Sequence, residues 1–193
     1  MFIEAPIQSC IDCALPMPRC ICQSAPAIQL PDPCHILFHP REMTRRNSTG
    51  RLLKACTNIQ TNFWHRLKNQ QLETEFQGYY LLYPSHGARQ ISTPTPSSPP
   101  AKGFLWLDGT WQETQKMLRQ SPWLHKLPKF SINAHQSQYR LRRNQTQTGL
   151  STLECVAYWL QEQKKAQSAQ ELLHFFDLFQ TAYLHAQQAG QLK

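Results

Sequence analysis

Residues 103–107, Gly-Phe-Leu-Trp-Leu, are followed at once by Asp108-Gly109, and the hydrophobic pattern changes period at that point. Four prolines among serines and threonines precede the run between Ser92 and Pro100, reading as an exposed, partly extended loop. So short an apolar segment between turn signals predicts a buried strand. Thr110 then stands as a helix N-cap with Glu113 three residues on, a capping-box pattern, and the helix must stop before Pro122. A buried strand, a sharp turn and a helix in direct succession is the building unit of α/β proteins. Their ligand crevices open where strands end and helices begin. Asp108 is the carboxylate at that predicted crevice. Its bland alternative is a turn residue bonding nearby backbone N–H groups.

The length of 193 residues suits one domain, with room for a small appended module. Twenty Lys and Arg against twelve Asp and Glu give a net charge of +8, which favours a polyanionic partner such as nucleic acid. No window approaches the ~20 consecutive apolar residues of a membrane span. Residues 1–6 have neither a basic n-region nor an apolar h-region, so export is not expected. Seven cysteines, an odd number, fit a disulfide framework poorly, and a reducing cytoplasm is the expected compartment.

Four of those cysteines, Cys10, Cys13, Cys20 and Cys22, fall in a C-x2-C-x6-C-x-C pattern. Four thiolates complete a closed tetrahedral shell, so the pattern predicts a structural zinc site with no open position for catalysis. The surrounding segment has few large apolar residues, and metal coordination would supply its folding free energy. Two unrelated cysteine pairs, or an iron–sulfur cluster, are the alternatives. Cys34, Cys56 and Cys155 sit in apolar periodic segments and read as small buried hydrophobes.

Residues 34–39 are strand-like and end at Pro40. Leu52, Cys56, Ile59 and Phe63 then recur at helical spacing behind the cap candidates Asn47, Ser48 and Thr49, predicting one helix along this stretch. Arg41, Arg45, Arg46, Arg51 and Lys54 surround its start with only Glu42 to offset them. That is either a phosphate site or a solvated basic face. Residues 79–83 predict another strand stopped at Pro84. Residues 130–133 are a weak strand candidate, and 139–143 alternate briefly. From Glu113 to Glu154 there are seven Lys or Arg and no other acid, with Trp123, Phe130 and Tyr139 interleaved. Ser151 and Glu154 form a second capping box ahead of the stripe Leu153, Val156, Ala157 and Leu160. A last helix carries Leu172, Phe176, Phe179 and Tyr183 on one face.

Leu107-Asp108-Gly109-Thr110-Trp111 resembles the signature of the DTW-domain family. His39-Pro40-Arg41-Glu42 with Asn47-Ser48-Thr49, Leu81-Leu82-Tyr83-Pro84-Ser85, and Leu150-Ser151-Thr152-Leu153-Glu154 resemble further blocks of the same family. The cysteine cluster ahead of them is similar too. The resemblance implies an α/β, SPOUT-like fold: a mostly parallel sheet flanked by helices with a C-terminal trefoil knot. Residues 1–30 would form the four-cysteine zinc module and 31–193 the catalytic domain. It implies a tRNA-uridine aminocarboxypropyltransferase, moving the 3-amino-3-carboxypropyl group of S-adenosylmethionine to N3 of a tRNA uridine and releasing 5′-methylthioadenosine. The alternatives are a SPOUT-like RNA methyltransferase and a non-catalytic, zinc-containing RNA-binding protein.

On this reading Asp108 is the base that accepts the N3 proton. Three loops hold the cofactor: Tyr83, Pro84 and Ser85; Leu107, Gly109, Thr110 and Trp111; and Leu150, Ser151, Thr152 and Glu154. Trp111 forms an apolar wall, and Arg140 or Arg142 meets the methionine carboxylate. Arg41, Arg45, Arg46, Arg51, Arg140, Arg142 and Arg143 are the candidate RNA contacts, and monomer against homodimer is left open.

Overall fold

A computed structural model describes residues 8–83, 89–90, 100–132, 136–141 and 149–192 of the chain. Six strands make one sheet: β1 (Cys34–Phe38), β2 (Gln60–Phe63), β3 (Tyr79–Leu82), β4 (Arg89–Gln90), β5 (Gly103–Asp108) and β6 (Lys129–Ser131). Their spatial order is β2-β1-β5-β3-β6-β4, and all five pairings are parallel. The helices are α1 (Thr49–Cys56), α2 (Asn69–Glu75), α3 (Trp111–Gln120), α4 (Pro122–Lys126), α5 (Thr152–Glu162) and α6 (Ala166–Gln188).

Successive strand residues point to opposite faces, and a parallel sheet must have both faces covered. Ile36 and Phe38 of β1, Tyr80 and Leu82 of β3, and Phe104 and Trp106 of β5 join one core with α1, α5 and α6. Leu37, Leu81 and Leu105, each one residue out of phase, join a second core with Met117, Leu118, Trp123 and Leu124 of α3 and α4. The expected α/β architecture with a parallel sheet flanked by helices is therefore present. Residues 142–148, just ahead of Leu150, lie outside the described residues, and the C-terminal trefoil knot stays what the resemblance implies.

Two local expectations are corrected. The predicted helix through Ile59 and Phe63 ends at Cys56. Thr57 is extended (φ −142°), its hydroxyl donates back to the Leu53 carbonyl at 2.7 Å, and residues 60–63 turn into β2 beside β1. Helical spacing at four positions was satisfied by chance across a helix–strand boundary, and the ladder to β1 decided the matter. Residues 139–141 join no strand either. The Gln138 N–H donates to Glu154 Oε1 at 2.6 Å and the Arg140 N–H to Gln180 Oε1 at 2.6 Å, so side chains of α5 and α6 take those backbone donors.

The cysteine segment packs onto the sheet domain. Cys13 and Leu15 are wholly buried in the same core as α1, α5 and α6. The Ile28 N–H donates to the Cys56 carbonyl at 2.9 Å, and Arg19 Nε donates to Gln191 Oε1 at 2.6 Å. Of the remaining cysteines, Cys34 and Cys56 are buried as expected and Cys155 is half-buried.

Candidate active site

The C-terminal edge of the sheet places Phe63, Phe38 and Asp108 in one row. His39 follows β1, and its N–H donates to the Asp108 carbonyl at 2.8 Å, carrying the β1–β5 pairing one step beyond the ladder. Asp108 itself is 4% exposed. Its Oδ1 accepts from the Thr152 hydroxyl at 2.6 Å, at the first residue of α5. Its Oδ2 lies so close to Gly50, in the first turn of α1, that a Cβ there would overlap it and come within 2.7 Å of the Phe38 ring. The carboxylate is thus set between the N-termini of α1 and α5 and two residues ahead of Thr110, the N-cap of a third, α3. Helix N-termini carry partial positive charge, so this is an electrostatically favourable place for an anion.

Gly50→Ala is accordingly expected to destabilise the fold by about 1–3 kcal/mol through overpacking. Alanine in an exposed helix would instead stabilise by up to ~1 kcal/mol. A urea midpoint at or above wild type would show that Asp108 and Gly50 do not meet.

Two of the three expected cofactor loops are joined by the Asp108–Thr152 bond, and the third reaches them through stacking. Tyr83 lies parallel to Trp111 with ring centroids 5.6 Å apart, and its hydroxyl accepts from Gln115 at 2.6 Å. Trp111, at 60% exposure, presents its remaining surface to solvent. Pro84 and Ser85 lie outside the described residues. Both capping boxes exist: Thr110 with Glu113, and Ser151 with Glu154. Glu154 is fully buried and also accepts from Ser137 Oγ (2.9 Å), so its carboxylate faces protein.

A cleft of about 320 Å³ opens at the α3 start. It is lined by His39, Arg41, Arg45, Thr110, Gln112, Glu113 and Lys116. Glu113 does more than cap. It takes a bidentate pair from Arg45, at 2.7 and 2.8 Å, while Arg45 also bonds Glu42. The Arg45 guanidinium holds the Glu113 carboxyl down at about 2. His39 stacks on Trp64 at 5.7 Å, and the Trp64 indole donates to Ser121 Oγ, which donates to Asn69. Burial lowers the His39 pKa, and Nδ1 accepts the Arg41 N–H at 3.3 Å. The ring is therefore neutral, and its 3.5 Å approach to Glu113 Oε1 is not an ion pair.

Both shifts have the same consequence. Below the ordinary histidine value of 6.5 the unfolded chain takes a proton that the folded His39 resists. Between 4.5 and about 2 it takes another that folded Glu113 resists. Stability is expected to fall as pH drops through the first range and faster through the second, with Glu113 accounting for roughly 2–3 kcal/mol. Urea midpoints against pH check this, and Glu113→Gln should flatten the lower limb.

Among the expected RNA contacts, Arg41 is exposed and Arg46 half-buried. Arg45 is engaged as above, Arg51 lies 3.5 Å from the Ile11 carbonyl, and Arg140 is paired with Asp177 at 2.6 Å. Arg142 and Arg143 lie outside the described residues. Sequence reasoning named none of His39, Gln112, Glu113 or Lys116 as site residues. The available signals were the His39-Pro40-Arg41-Glu42 block, the capping-box Glu113 and the run of cations that includes Lys116.

The four sulfurs of Cys10, Cys13, Cys20 and Cys22 lie within 4.8 Å of one another, with Cys10–Cys22 at 3.7 Å and Cys13–Cys20 at 3.8 Å. A tetrahedral ion with bonds of about 2.3 Å sets sulfurs ~3.8 Å apart, so the donors fit one such ion.

Fold and site together define an α/β domain in which three helix N-termini gather around a buried carboxylate, beside a basic cleft. The model of the DTW domain matches residues 7–184, and the chain belongs to the DTW-domain family. It is 30% identical over 179 residues to tRNA-uridine aminocarboxypropyltransferase 2 of Mus musculus, covering 85% of this chain and 59% of that protein. It is 29% identical over 176 residues to the protein of that name in Macaca fascicularis, with the same coverage. The chain thus spans about three-fifths of the length of these relatives. No solved structure matches it.

Proposed function

We propose that this chain is a tRNA-modifying transferase that moves the 3-amino-3-carboxypropyl group of S-adenosylmethionine to N3 of a tRNA uridine. The observation that carries the reading is the family match across residues 7–184, supported by what the two relatives are named. The net charge of +8 suits the RNA.

Uridine N3 becomes a nucleophile on losing its proton, which Asp108 accepts in this reading. The N3 electron pair then bonds to the methylene beside the sulfonium. That carbon–sulfur bond breaks with its pair passing to sulfur, and methylthioadenosine leaves. Which sulfonium carbon stands in line with N3 decides between this transfer and methylation. We place the cofactor among Tyr83 to Ser85, Leu107 to Trp111 and Leu150 to Glu154, with Trp111 as its wall. The exposure of Trp111 and the bond joining Asp108 to Thr152 support that placement. Cys10, Cys13, Cys20 and Cys22 would hold a structural zinc ion whose four thiolates leave no open position for the transfer chemistry, and the compartment we propose is the cytoplasm.

The burial of Asp108 supports a second role, as a positioning residue that holds the α1 and α5 starts in place. The test of the function is mass spectrometry of nucleosides from unmodified tRNA incubated with protein and S-adenosylmethionine. An aminocarboxypropyl increment on uridine, with methylthioadenosine released, is the expected result. A methyl increment, or none, overturns the reading.

A further inference from the structure

The basic cleft shares only Thr110 with the three loops assigned to the cofactor, so it needs a separate account. Its lining holds Arg41, Arg45 and Lys116 against Glu113. Arg45 is committed to Glu113 and Glu42. Arg41 and Lys116 are both exposed, and neither side chain has a partner among the described residues.

At the cleft wall His39 is 5% exposed. Nδ1 accepts the Arg41 N–H, so the proton of the neutral ring is on Nε2, and no described group accepts it. Nε2 keeps contact with solvent on the cleft side, so an acceptor entering the cleft can take its proton in place of water. The capping box leaves the N–H groups of Trp111 and Gln112 without described acceptors at the same place, as expected of a first helical turn. Two exposed cations, a neutral ring donor at the cleft wall and a helix start together select an oxyanion.

We propose that this cleft binds one phosphodiester of an RNA strand, with Arg41 and Lys116 neutralising it and His39 Nε2–H donating to a phosphate oxygen. The site shares Arg41 and Arg45 with the basic stretch ahead of α1 and adds His39 and Lys116 to it, and it rests on the tRNA reading above. A phosphodiester fits better than a small-molecule carboxylate because both cations are exposed, so a polymer can lie across them.

The test uses the full chain as wild type, Arg41→Gln, Lys116→Gln and the double variant. Lys165→Gln, beyond the far end of α5, serves as a charge control. Binding of unmodified tRNA is read by fluorescence anisotropy between about 50 and 200 mM salt, and S-adenosylmethionine binding by calorimetry. Each single variant is expected to lower the slope of log affinity against log salt by about 0.7–0.9, and the double variant by about twice that with roughly tenfold weaker binding. The control should keep the wild-type slope, and S-adenosylmethionine affinity should be unchanged throughout. A double variant with wild-type slope and affinity overturns the inference alone. Loss of S-adenosylmethionine affinity with an intact salt slope also overturns it and gives the cleft to the methionine carboxylate. Wild-type protein that binds no tRNA overturns the function and this inference together.

Discussion

Asp108→Asn is expected to cut turnover by about two to four orders of magnitude while the protein stays folded, if the carboxylate accepts the uridine proton. Asparagine keeps an oxygen that can accept from the Thr152 hydroxyl, at 2.6 Å in the native protein, and nearly the same volume against Gly50 and Phe38. It cannot accept a proton in the working pH range. Asp108→Ala removes the packing as well and leaves the Thr152 hydroxyl without its acceptor, so it should destabilise the fold by roughly 2–4 kcal/mol. The pair of variants separates the two roles. A base is lost equally in both, and the acidic limb of the pH–rate profile disappears in Asp108→Asn. A positioning residue is largely rescued by asparagine, with tRNA and S-adenosylmethionine affinities restored and the pH profile retained. Near-native turnover of Asp108→Asn would end the proposal that Asp108 is the base.

Loss of the metal should have the larger effect on stability. Structural zinc binding is worth on the order of 10–16 kcal/mol in small zinc modules, whereas a whole domain is stable by about 5–15 kcal/mol. Here the cysteine segment also contributes to the main core, because Cys13 and Leu15 are wholly buried against the sheet domain. Cys13→Ser, or treatment with a strong chelator, is therefore expected to collapse or unfold the domain instead of merely freeing its N-terminus. Elemental analysis should find one zinc per chain, and thermal melts with and without chelator give the loss directly. Metal-free protein, or a Cys13→Ser variant melting within a few degrees of wild type, would remove the structural-zinc reading.

What was legible in the amino-acid order is local. Thr110 with Glu113, and Ser151 with Glu154, lie three residues apart, so one helical turn brings each pair together whatever surrounds it. The Cys10–Cys22 spacing likewise lets one short segment gather four sulfurs. The run at 103–107 followed by Asp-Gly marked the central strand of a parallel sheet, since a short apolar segment between turns has few other uses. Periodicity failed at the α1–β2 boundary because apolar residues at helical spacing do not reveal where one element stops and the next starts. The ladder between β1 and β2 supplies that information. Tertiary structure alone decided that Asp108 is buried between the starts of α1 and α5, since Gly50 and Thr152 are far from it in the chain. It alone turned Glu113 from a cap into the partner of Arg45, 68 residues away, and made His39 a buried neutral donor stacked on Trp64. Hydrogen bonds within a turn follow from residue order, but burial, charge pairing and proton affinity depend on neighbours that only the folded chain brings within a few ångströms.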